Sequence, residues 1–268
     1  MARLMQDWIK GIFVRCDRPS KGWSTGSLGM SFVQAYSRWR GVSVVIPSDI
    51  VRYVYLATSV VIVLGVLREV FIFQVGTETV LQDLRHFALD AERNLGAWYS
   101  SALMVLIAAC ATVNWHKDRV RDGLVSYSWV FIAVVFFCLS IDETVGFHET
   151  VDVPLRNHFE LTGIFYNPWV FFGAAFVAGF VALLVPFLFD LPRHIATLFV
   201  ISGAIYVGGA LGMEPLDAFF EHGYGEGHLF QVIATSIEEA LEMFGLTLFL
   251  HANFIFMAEA RTNVLVRR

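Results

Sequence analysis

Apolar residues dominate six long stretches of the chain, and polar residues gather between them. A helix rises about 1.5 Å per residue and the hydrocarbon layer of a bilayer is about 30 Å thick, so roughly 20 mainly apolar residues cross it. Residues 52–75, 95–115, 124–143, 168–189, 195–213 and 229–257 meet that test. The predicted fold class is all-α: a polytopic membrane helix bundle of six transmembrane spans. Residues 1–48 read as an N-terminal segment outside the spans, residues 49–260 as the transmembrane domain and residues 261–268 as a short basic tail. Within the first segment, Leu4, Met5, Trp8, Ile9, Ile12 and Phe13 recur at helical spacing beside Arg3, Lys10 and Arg15. That pattern predicts either an amphipathic helix on the membrane surface, followed by a flexible Ser/Gly-rich linker, or an unstructured basic tail that only helps set topology, and not a cleaved signal peptide.

Composition agrees with a chain solvated by lipid. Hydrophobic residues make up 56% and charged residues 16%, against about 45–50% and about 25% in soluble globular proteins. A mean hydropathy of +0.61 excludes a disordered or low-complexity chain. Three cysteines, Cys16, Cys110 and Cys138, form no CxxC pair and no even-numbered disulfide framework.

Charge adds an orientation. Lys and Arg accumulate in cytoplasmic loops. Placing the N-terminus inside puts 15 of the 19 basic residues on the cytoplasmic side and 17 of the 24 acidic residues in the outer half. The net charge of -5 then divides into about +8 inside and about -13 outside. Six spans with both termini cytoplasmic satisfy every loop, and the basic residues need no nucleic-acid partner to explain them. The bilayer is the first expected partner, with a homo-oligomer or a larger membrane complex as further ones.

The chemistry lies where charge interrupts the spans. An ionisable group near the bilayer centre costs about 2.5–3.5 kcal/mol, so such groups face partners, water or bound ions. In the sixth span, at about 100° per residue, Glu239 lies about 100° and Glu242 about 40° from Glu238, which places three carboxylates on one face. Counted from Leu229, Glu242 sits roughly 20 Å along the helix. At the end of the third span, Asp142, Glu143, His148, Glu149 and Asp152 precede Pro154. If the helix continues to that proline, Asp142 and Glu149 are nearly eclipsed and Glu143 points away. Glu92 precedes the second span, where the helix dipole alone also favours an acid. Arg68 in the first span is a candidate counter-ion, and a buried structural network between it and the three glutamates is the alternative to a functional site.

The runs Leu89-Asp90-Ala91-Glu92-Arg93-Asn94-Leu95, Ser140-Ile141-Asp142-Glu143 to His148-Glu149, and Glu238-Glu239-Ala240-Leu241-Glu242 together resemble a family of bacterial polytopic inner-membrane proteins of unassigned function. The resemblance covers roughly residues 49–258. It implies the bacterial inner membrane and no reaction.

Carboxylates with imidazole form a ligand set for divalent Fe, Mn or Zn. The expected metal ligands are Glu92, Glu143, His148, Glu149, Glu239 and Glu242, with Glu238 and Asp142 as catalytic acid–base groups of a metal-dependent membrane enzyme. The same acids at mid-depth suit a proton- or cation-coupled transporter, and a non-catalytic subunit of a membrane complex is a third reading. Lysine is confined to Lys10, Lys21 and Lys117, outside every span, which excludes a retinal-type Schiff base. The nucleophile-elbow, Walker A and dinucleotide fingerprints do not occur.

Overall fold

The computed structural model describes residues 48–76, 82–89, 94–118, 124–225 and 227–265, all helical or in turns. Six helical stretches are long and apolar enough to cross a membrane, so the chain is a multi-pass integral membrane protein. The predicted amphipathic helix and linker, and Glu92, lie outside the described residues.

The first spans are α1, Ser48–Val75, α2, Leu95–Asp118, and α3, Leu124–Val145; a short helix α4, Asp152–Phe159, leads to α5, Trp169–Asp190. The fifth span is composite: α6, Arg193–Val207, a π-helical segment Gly208–Met213, and α7, Glu214–Tyr224. The sixth span belongs to α8, Leu229–Leu265. Lipid is as apolar as leucine, so helix association rests on close packing and interhelical hydrogen bonds and not on escape from water. Both are visible.

Close packing centres on α8, the most buried helix, whereas α1 and α5 expose most of their surface. Toward the end of the bundle where α1 begins and α8 finishes, Trp129 is fully buried. Its ring meets Phe187 at 4.9 Å, Phe256 at 4.7 Å and Phe199 at 6.0 Å between centroids. Two glycines let the fifth span lie directly on α8. A Cβ at Gly245 would fall 2.6 Å from the Tyr206 amide nitrogen, and one at Gly209 would fall 2.8 Å from the Glu238 carbonyl oxygen.

Hydrogen bonds cross between helices at three levels. Thr58 Oγ1 lies 2.7 Å from Thr247 Oγ1 and 2.9 Å from the Tyr99 hydroxyl, joining α1, α2 and α8. Asn114 Nδ2 donates to Asn253 Oδ1 at 3.1 Å near the other end of α2. Ser101 and Ser140 hydroxyls are 2.8 Å apart, and Thr144 donates to Ser101 at 3.0 Å, which ties the end of α3 to the start of α2. Acidic groups collect beyond this last tie.

Candidate functional site

The site begins where α3 stops. Gly146 adopts φ +67°, a left-handed conformation that glycine takes without steric cost, and its amide closes the last turn onto the Asp142 carbonyl at 2.7 Å. The chain folds back through a short 3-10 turn, His148–Val151. The helix therefore does not run on to Pro154, and the expected Asp142–Glu149 stripe is replaced by a different contact. His148 returns over Asp142 with its backbone N–H 3.1 Å from Oδ1 and its ring Nδ1 2.8 Å from Oδ2. Facing a carboxylate, Nδ1 is the donor, leaving Nε2 3.9 Å from Glu149. Burial opposes protonation of this ring, but the bond to Asp142 and the charges of Asp142, Glu149 and Glu143 outweigh it and hold His148 above the usual imidazole value. Glu143, about 100° from Asp142 on the same helix, lines one cavity with it.

Trp169, the first residue of α5, organises the opposite wall. Its ring packs against His148 with centroids 4.6 Å apart. Its backbone N–H donates to Asp152 Oδ1 at 2.9 Å, and its indole Nε1 donates to Glu214 Oε1 at 3.1 Å. Burial and the neighbouring Glu214 push Asp152 above the ordinary carboxyl range, against the pull of the Trp169 amide. Glu214 Oε1 also accepts from Asn167 Nδ2 at 2.7 Å, and Arg156 in turn holds Asn167 Oδ1 at 2.8 Å while lying over the Tyr166 ring at 3.3 Å.

The fifth span carries Glu214 into the site because the helix does not end at Met213. The π segment inserts an extra residue into the turn, and α7 continues the span with Glu214 and Asp217 one turn apart. Asp217, only 7% exposed, accepts from Thr235 Oγ1 at 2.6 Å. Thr235 receives Gln231 Nε2 at 3.1 Å, so both residues of α8 are committed to this acid. Glu238, 8% exposed, meets Glu214 closely enough for the two carboxyl groups to share a proton. Two carboxyl groups bond to each other only when a proton lies between them.

These groups line one cavity of about 460 Å³. The turn after α3 contributes His148 and Glu149, α3 Asp142 and Glu143, α7 Glu214 and Asp217, and α8 all three glutamates of its acidic face, Glu238, Glu239 and Glu242. Trp169, Phe172 and Phe176 of α5, with Tyr206 of α6, form an aromatic wall. Among the described lining residues there is no Lys or Arg. Arg68 is not one of them; it pairs with Glu69 on α1 at 2.8 Å. Among the described residues no three His, Cys, Asp or Glu side chains form a ready metal-ligand group, because the acids are spread over the wall of a large cavity.

Glu143, His148, Glu149, Glu238, Glu239, Glu242 and Asp142 are thus brought together, while Glu92 lies outside the described residues. Trp169, Tyr206 and the aromatic face of α5 are site residues that the charge pattern did not mark. The one sequence signal for the break in the fifth span is Gly208-Gly209 and Gly212 within an apolar run.

Residues 46–256 match a family described as a domain of unknown function, DUF8692. No curated protein and no solved structure matches the chain.

Proposed function

We propose a function for this chain, which belongs to the DUF8692 family of unknown function, from its cavity chemistry: it is a proton-exchanging cation transporter of the bacterial inner membrane. The observation that carries the reading is a single cavity wall of eight carboxyl groups and one imidazole, in which Glu238 meets Glu214. Even with one proton between that pair and another on His148, about six negative charges would be left to offset. Like charges about 6 Å apart repel by roughly 3 kcal/mol at an effective dielectric of about 20. Protons or incoming cations remove that repulsion, and each excludes the other from the same oxygens. That mutual exclusion is the elementary step of exchange.

Two further features support transport. The cavity wall includes a helix interrupted at Gly208–Met213, and helix interruptions recur at the binding sites of transporters. The carboxyls are spread around a volume suited to a passing solute instead of converging on one point as a resident metal's ligands would. We place the cavity in the outer half of the bilayer, since the basic loops gather at the other end.

Reconstitution into liposomes tests the reading. An imposed proton gradient is expected to drive cation uptake with matching proton release, and Glu238→Gln together with Glu242→Gln is expected to abolish it. Flux equal to that of empty vesicles across monovalent, divalent and organic cations rules the reading out.

A further inference from the structure

We infer that the cation held in this cavity is a protonated organic amine with an apolar body, its ammonium group between Glu143 and Glu242 and its body against the aromatic wall. The inference rests on the cation-exchange reading above and narrows it to one chemical class. Three observations that do not depend on one another carry it.

The first is size. About 460 Å³ falls among small-molecule sites, which run from about 300 to 1,000 Å³. A bare metal ion would leave most of that volume to water, and the acids do not close around a point.

The second is the state of Glu143 and Glu242. Both line the cavity and are partly open to it, and among the described residues neither receives a hydrogen bond. Their neighbours differ in this respect: Asp142 is served by His148, Glu214 by Trp169 and Asn167, and Asp217 by Thr235. A half-buried carboxyl facing a cavity without a protein donor is left to solvent or a ligand to satisfy. An ammonium group brings up to three N–H donors and a positive charge, which is what these two carboxyls lack.

The third is the opposite wall. Trp169, Phe172 and Phe176 follow one another at i, i+3 and i+7 on α5, and Tyr206 joins them from α6. Gly173 makes room for this arrangement: a Cβ there would fall 2.8 Å from Leu211 Cδ2 and 3.1 Å from Trp169 Cζ3. Aromatic faces attract cations and also cover an apolar body, and metal ions or free ammonium draw on only the first of these.

Calorimetry on the full chain in lipid nanodiscs tests the inference, with phenethylamine as probe and phenylethanol, ammonium chloride and manganese chloride as controls. Saturable phenethylamine binding is expected, at least tenfold tighter than phenylethanol or ammonium and at least tenfold weaker in Glu242→Gln and in Phe176→Ala. It is also expected to weaken as pH falls from 8 to 5, because protons compete for the carboxyls while the amine stays charged. Phe176 is 47% exposed, so its truncation reports on the wall even where Glu242→Gln does not fold. Equal binding of phenylethanol and phenethylamine, or manganese binding with no amine binding, overturns the amine class. The liposome flux assay separates the two levels. Proton-coupled flux of an inorganic cation without amine binding leaves the transport reading standing and removes this one, and amine binding without flux does the reverse.

Discussion

Replacing Gly245 by alanine probes the contact that holds the fifth span against the acidic helix. The added Cβ would lie 2.6 Å from the Tyr206 nitrogen and 2.8 Å from its Cα, both backbone atoms that no rotamer change can move aside. Restoring an ordinary contact of about 3.5 Å requires α6 and α8 to part by roughly 1 Å, and forced overpacking of this kind costs about 1–3 kcal/mol. Because the clash is with backbone, the upper half of that range applies, about 2–3 kcal/mol; alanine in place of glycine inside a helix returns about 1 kcal/mol, leaving a net loss of about 1–2 kcal/mol. For a chain of this size that corresponds to a fall in Tm of roughly 2–8 °C. Gly179→Ala is the internal control. Gly179 also lies within a helix, on α5, but a Cβ there meets nothing within 4 Å, so only the propensity gain remains and Tm is expected to rise slightly. Thermal unfolding in detergent, followed by far-ultraviolet circular dichroism, measures both. Equal or same-sign shifts for the two variants would refute the claim that backbone proximity at Gly245 positions the glutamate face.

Three other expectations follow from the same geometry. Asp142→Asn removes the carboxylate that holds His148 above its ordinary value of 6.5, so the His148 titration followed by NMR moves down. Because the folded-state value is raised, the wild-type contribution is present below about pH 6.5 and lost as pH rises through the folded value, whereas Tm of the variant is expected to vary less across that window. Trp169→Phe keeps the contact with His148 but deletes the indole donor to Glu214, and a loss of about 1 kcal/mol in denaturant unfolding is expected, with Asn167 remaining as donor. Thr58→Val removes the hydroxyl shared with Tyr99 and Thr247 while keeping the side-chain shape, and is expected to lower stability by about 1–2 kcal/mol in the same assay.

Much of the site was legible before any fold was known, because lipid makes misplaced charge conspicuous. Glu238, Glu239 and Glu242 share a face by the 100° step alone, and all three line the cavity. Glu143, expected among the acidic ligands although off the Asp142–Glu149 stripe, lines the same cavity as Asp142. A helix running to Pro154 would stack Glu149 over Asp142, but the helix ends at Gly146 and His148 takes that place, and a break that depends on one positive φ leaves no trace in hydropathy. By hydropathy the fifth span ends at Met213, just before Glu214 and Asp217. The helix continues to Tyr224 because those acids find Asn167, Trp169 and Thr235 on other elements, donors far away in sequence.

The sequence by itself determined that the chain is helical, that six of its segments are long and apolar enough to cross a bilayer and that it carries acids where hydrocarbon should exclude them, since each of these follows from the polarity of residues within one helix length. Only the tertiary structure decided that the acids of three spans face one another, that aromatic rings close the opposite wall, and that Arg68 pairs with Glu69 outside the cavity. Hydropathy reads the free energy of each helix against lipid, one segment at a time. A cavity belongs to several helices at once, and its shape depends on glycine contacts, a π-helical turn and crossing hydrogen bonds that act between segments.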